Sequence, residues 1–149
     1  MGMTVKNKLN SHNEWDPLKE VIVGTAKNTV GTLSWLKPGP IDRSVLDEAK
    51  DLAIKACPSR VIEEVEEDLD GLANTLKSLG IVVHRPNVHD LSEFYGTPNW
   101  QSNGNNCYNA RDLNLVVGNS LIESPSMIHS RYYETSCYYD IWYEYFEYD

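Results

Sequence analysis

Seven apolar residues recur at helical spacing between Ser59 and Leu79: Val61, Ile62, Val65, Leu69, Leu72, Leu76 and Leu79. A stripe of that period cannot lie along one face of a strand, so it predicts one long amphipathic helix. Pro58 and Ser59 mark its start, with Ser59 as the capping side chain and Glu63 and Glu64 near the positive end of the helix dipole. Gly80 supplies the stop, and Ile81-Val82-Val83 follows at once as a strand that ends at Pro86. A helix running straight into a β-branched run restricts the chain to α/β architectures, and the rest of the sequence supplies the other strands.

Lys19–Gly24 holds Val21, Ile22 and Val23 between Asp16-Pro17 and a closing glycine, and predicts a buried strand before the helix. Residues 28–40 carry Gly and Pro without a period and read as loop; 42–56 reads as a short helix. Asn87 to Ala110, rich in Asn, Gly and Pro, reads as one long loop, a length that in compact domains often carries function. A hairpin follows. Leu113, Leu115 and Val117 alternate with Asn114 and Val116, Gly118-Asn119-Ser120 turns, and Leu121-Ile122-Glu123 returns. A last helix is expected from Ser130 or Arg131 to Asp149, with Tyr133, Cys137, Ile141, Tyr145 and Tyr148 on one side. Its final turns are aromatic on more than one side and lack a glycine stop, the pattern of a chain cut before its packing partner. Ile22-Val23-Gly24 and Val116-Val117-Gly118 hint at structural repetition.

Composition narrows the function classes. A formal net charge of −9 argues against a phosphate-backbone partner, and no apolar run approaches a membrane span. The N-terminal residues lack the apolar centre of a signal peptide, so a soluble, cytoplasmic protein is expected. Cys57, Cys107 and Cys137 are odd in number and widely spaced, which fits a reducing compartment and neither a disulfide framework nor a zinc site. His84 and His89 bracket Pro86, which breaks any helix that would align them on a metal; neither metal nor cofactor is expected.

Asp112 is the main candidate for chemistry. As a turn residue it would pair with Arg111 or cap the hairpin; as a site residue it would accept a guanidinium or ammonium in fixed geometry. Arg131 is the secondary candidate, able to pair with nearby acids or to reach a ligand carboxylate. Cys107 lies in the polar loop with no base placed near it, so a partly buried thiol is the favoured reading over a nucleophile.

Three blocks carry a family resemblance. Ser11-His12-Asn13-Glu14-Trp15-Asp16-Pro17-Leu18-Lys19-Glu20-Val21-Ile22-Val23-Gly24 resembles the N-terminal signature of the glycine and inosamine-phosphate amidinotransferases. Arg111-Asp112-Leu113-Asn114-Leu115-Val116-Val117-Gly118, continuing to Pro125, resembles their second block, and His129-Ser130-Arg131-Tyr132-Tyr133-Glu134 the segment after it. Where the family has Met-Pro before Arg-Asp, this chain has Asn109-Ala110, which bears on loop shape.

The resemblance implies an α/β propeller, the pentein fold, in which ββαβ modules circle an axis. It makes this chain about one and a half of five modules: a first over about 11–86, a linking loop over 87–110 and the start of a second over 111–149. It implies transfer of an amidino group from L-arginine to an amine such as glycine through a covalent cysteine intermediate. Asp112 would bind the donor guanidinium, while the nucleophile, histidine and second aspartate would lie in later modules, leaving the isolated chain inactive. Two alternatives stand beside it. One is a deiminase-like hydrolase of the same fold, with water as acceptor. The other is a non-catalytic half-propeller that oligomerises or binds a relative through its aromatic last helix.

Overall fold

The computed structural model describes residues 9–30 and 57–146, so the expected helix over 42–56 and the last residues of the expected final helix lie outside the described residues. Strand β1 (Glu20–Ile22) is followed by helix α1 (Ser59–Ser78) and strand β2 (Val82–His84), and β1 and β2 pair in parallel with Val21 opposite Val83. The β-α-β order read from the sequence is therefore present. Tyr95–Thr97 (β3) and Trp100–Ser102 (β4) pair antiparallel, as do Asn114–Val117 (β5) and Ser120–Glu123 (β6). Two 3-10 turns, His129–Arg131 and Glu134–Tyr138, lead into helix α2 (Tyr139–Phe146). No helix among the described residues is long and apolar enough to cross a membrane.

The end of α1 is fixed by its glycine. Gly80 sits at φ +82°, its N–H donates to the Lys77 carbonyl at 3.0 Å, and Ile81 N–H reaches back to Leu76 at 3.1 Å. This paired arrangement satisfies carbonyls that the helix end would otherwise orphan and turns the chain into β2. The start differs from expectation. Pro58 occupies the cap position with no side-chain cap, and its carbonyl accepts from Val61 and Ile62. Glu63 and Glu64 fall beyond the first turn, where Glu64 accepts from Arg60 at 2.9 Å instead of serving the helix terminus. The buried face is also rotated from the apolar stripe. Leu69 and Ala73 are buried, while Val61, Leu72 and Leu79 are exposed. Glu66 shares the inward face because its carboxylate accepts from Thr25 Oγ1, the Ala26 amide and Arg85, holding the segment after β1 onto α1.

Three other expectations are corrected. Residues 87–110 are not one loop: they contain the β3–β4 hairpin, turned by Pro98-Asn99, and they give Leu91, Cys107 and Ala110 to the core. The buried stretch of the first strand is shifted forward. Val23, Gly24, Thr25 and Ala26 are buried, and Thr25 pairs with Cys107 rather than with a regular strand. Gly24 is required there, since a Cβ would collide with the Tyr108 carbonyl. The final helix begins at Tyr139 rather than near Ser130, since the preceding residues wind as 3-10 turns.

The core gathers Leu91, Cys107, Ala110, Leu113, Cys137, Tyr138, Ile141 and Trp142, with Ile22, Val88, Leu121 and Tyr145 packed around it. Tyr145 ties α2 to the parallel pair: its hydroxyl donates to Glu20, and both groups meet His84 Nε2 at 3.2 Å. Ser11 and Gly118 exchange two backbone hydrogen bonds, so the first sequence block seats directly on the turn of the second.

Candidate functional site

Asp112 stands at the last position of a 3-10 turn, Ala110–Asp112, that precedes β5. The strand that follows it is not a buried one. Instead Leu113 alone is fully buried, and Leu115 and Val117 face outward from β5 at more than half exposure. The turn is pinned on both sides. Asp112 N–H donates to Asn109, Leu113 N–H to Ala110, and the Asn114 side chain reaches back to the Ala110 carbonyl at 2.7 Å. The buried Leu113 side chain, with Ser124 N–H on its carbonyl, anchors the turn in the core. Rigid backbone of this kind holds a side-chain carboxylate in one place.

The carboxylate already grips a guanidinium, and that guanidinium belongs to Arg131 rather than to Arg111. Arg131 Nη1 donates to Asp112 Oδ2 at 2.8 Å, and Nη2 lies 3.4 Å from the Asn109 carbonyl. Arg131 is held from its other side by Glu134, with Nε to Oε2 at 2.5 Å and Nη2 to Oε1 at 3.1 Å, a two-pronged carboxylate–guanidinium pair. Exposure falls steeply along this row: the Asp112 side chain is 51% exposed, that of Arg131 12% and that of Glu134 2%. The Arg131 guanidinium is held charged first by Glu134 and then by Asp112. Burial lifts the Glu134 carboxyl above its ordinary 4.5, with the hydrogen bonds from Arg131 working against that rise. Arg131 thus takes the first of its two predicted roles, pairing with nearby acids.

Asp112 and Arg131 are therefore brought together, and Glu134 is the member that sequence reading missed. Its signal was present as Arg131-x-x-Glu134, since side chains three residues apart fall on one side of helically wound backbone. Cys107 is excluded from nucleophilic work. It is fully buried, and the thiol is pushed well up by its hydrogen bond with Cys137 and by burial. Cys137 is the other half of that contact and lies 3.5 Å from His89 Nδ1. Among the described residues no group of three His, Cys, Asp or Glu side chains is arranged to hold a metal ion.

Sequence and fold relate this chain to the amidinotransferases, which are transferases: its sequence relatives and its structural neighbours carry that name. Over 143 residues it is 41% identical to inosamine-phosphate amidinotransferase 1 of Streptomyces glaucescens, covering 91% of this chain and 39% of that protein. Glycine amidinotransferase of Xenopus tropicalis is 34% identical over 91% of this chain and 32% of its own length, and L-arginine:L-lysine amidinotransferase of Pseudomonas savastanoi pv. phaseolicola 35% over 91% and 38%. The structure of an inosamine-phosphate amidinotransferase from Streptomyces griseus superposes with a TM-score of 0.78 at 39% identity, covering 93% of this chain and 40% of that one. The chain thus spans about a third to two-fifths of the length of the relatives it matches, and its mixed α/β structure is shared with the pentein amidinotransferases. No family model matches it.

Proposed function

We propose that this chain supplies the donor-binding wall of an amidinotransferase. In the whole protein an amidino group would pass from L-arginine to an amine such as glycine through a covalent cysteine intermediate. The fold would be about one and a half of five propeller modules, in a soluble, cytoplasmic protein. One observation carries the reading. Asp112 presents a half-exposed carboxylate on a rigid turn, and one of its oxygens already accepts from a guanidinium at 2.8 Å. A carboxylate that meets a planar cation in fixed geometry can hold the donor for attack at its central carbon. The names of the relatives specify transfer, and one names L-arginine, which favours an amine acceptor over the water of a hydrolase.

Covalent transfer needs a nucleophile that the donor can reach, and Cys107 and Cys137 are both enclosed in the core. The 149-residue chain is therefore expected to bind the donor without turning it over. In a titration of the isotope-labelled chain with L-arginine, the amides of Asp112 and Leu113 should shift. Asp112→Asn should weaken that binding by about tenfold or more. Equal binding by the variant would remove Asp112 from the role. Robust ornithine release that disappears in Cys107→Ala would overturn the assignment of the nucleophile to residues outside this chain.

A further inference from the structure

Asp112, Arg131 and Glu134 form a row of alternating charge that runs from solvent into the core. An aspartate paired with an arginine alone would be a neutral unit, poorly suited to attract a second cation. Here Arg131 is doubly bonded to Glu134, and the three ionised groups together carry one net negative charge, located at the exposed end. Asp112 Oδ2 accepts from Arg131, while Oδ1 has no hydrogen-bond partner among the described residues. The Arg131 fork is held by the buried carboxylate, so its remaining prong can fix the direction in which Asp112 points.

We infer that Glu134 is a positioning residue for the guanidinium site. It orients Arg131 so that Arg131 sets the Asp112 carboxylate, and it offsets the Arg131 charge so that Asp112 keeps a net negative charge and one open oxygen for a guanidinium ligand. The inference rests on the proposed role of Asp112. Glu134 itself is too deep to touch a ligand. It opens the 3-10 turn Glu134–Tyr138, three residues after Arg131 at the end of the preceding turn, and that spacing brings its carboxylate under the Arg131 fork. Besides Arg131 and the half-exposed Asp112 carboxylate, the groups facing it are tyrosine hydroxyls and the thiols of Cys107 and Cys137. Tyr95, pushed up to about 12 mainly by burial, stays protonated, as does Tyr138 for the same reason, and Cys107 is held protonated first by its hydrogen bond with Cys137 and then by burial, so Arg131 is the cation that balances Glu134.

The test uses the whole 149-residue chain in two measurements. The first needs no ligand: three-bond couplings at Asp112 report its side-chain rotamer, and exchange of the Arg131 Nε proton reports its anchoring. Wild type should show one dominant rotamer and a protected proton. Glu134→Gln, with its fold verified by backbone amide shifts, should show rotamer averaging and loss of protection. Arg131→Lys serves as the second variant should Glu134→Gln not fold. It keeps the charge, loses the fork, and should also release Asp112. A single retained rotamer in the folded variants would overturn the inference.

The second measurement is L-arginine affinity. Glu134→Gln should weaken it by about tenfold through loss of the offsetting charge, and Glu134→Asp should recover part of the difference. Unchanged affinity in folded Glu134→Gln would also overturn the inference. Wild type and Asp112→Asn binding arginine alike would instead count against the Asp112 reading, with the rotamer measurement still deciding the role of Glu134.

Discussion

At the residue scale the site depends on where each charge sits relative to water. Glu134 binds its proton more tightly in the folded chain than in the unfolded one because burial raises its carboxyl above 4.5. Its contribution to stability is therefore full below that value and is lost as pH rises through the folded value. Urea midpoints measured upward from about pH 4 should fall more steeply for wild type than for Glu134→Gln. Equal slopes would mean that Arg131 fully offsets the burial. Asp112 drew notice from its place ahead of the hairpin and from the matched block around it, while spacing alone left its two readings open. Its partner was not legible. Arg111 was the nearer candidate in sequence, but the 3-10 turn brings the more distant Arg131 to its carboxylate instead. Glu134 escaped notice because an acidic residue inside an expected helix reads as a solvated face, whereas this one is almost fully enclosed.

At the element scale, regular periodicity was legible and irregular backbone was not. Helix α1 and the parallel pair β1–β2 follow from apolar spacing and β-branched runs. The hairpin β3–β4 does not, since Tyr95-Gly96-Thr97 and Trp100-Gln101-Ser102 have little apolar alternation. They hold their place through Trp100, whose ring stacks on His129 at 4.2 Å, and through the Tyr95 hydroxyl on the His129 carbonyl. The run before α2 matches a helical repeat in composition, yet tertiary contacts override it. The Cys137 carbonyl accepts from Asn87, and the Tyr138 hydroxyl donates to Cys107. Two glycines separate backbone from packing effects at element ends. Gly80→Ala meets no neighbour and should cost about 1 kcal/mol from its left-handed φ alone. Gly24→Ala must push Tyr108 away and should cost about 2–3 kcal/mol. Urea unfolding of both variants checks that order.

For the whole molecule, the described part of the last helix is largely enclosed, and an open apolar face lies elsewhere. In α2, Ile141 and Trp142 are buried within this chain, and Tyr143 is its one strongly exposed aromatic among the described residues. The open apolar surface lies on β5–β6, where Leu115 pairs across to Ile122 and Val117 continues the same face, each about half exposed. A hairpin face of this kind packs against another layer. We expect the isolated chain to self-associate with rising concentration in light scattering, and Leu115→Lys with Ile122→Lys to suppress this. A wild-type monomer at every concentration would show that the face is tolerated in water. The pentein resemblance was legible from two long blocks and is matched by the structural neighbours, and the expectation that this sequence answers to only part of the family pattern agrees with its share of their length, about two-fifths.

The paired hydrogen bonds between Ser11 and Gly118 have a consequence in time. They join residues that are most of a chain length apart, and the bridge from Thr25 to Cys107 spans nearly as far. Such contacts must wait for a long loop to close before they contribute anything, and that delay slows folding. During synthesis, then, the first block emerges early and stays unpaired until the hairpin turn leaves the ribosome. Helix α1, held by local bonds, can form in the interval. The amide of Ser11 should accordingly gain protection from hydrogen exchange late in refolding, after the amides of α1.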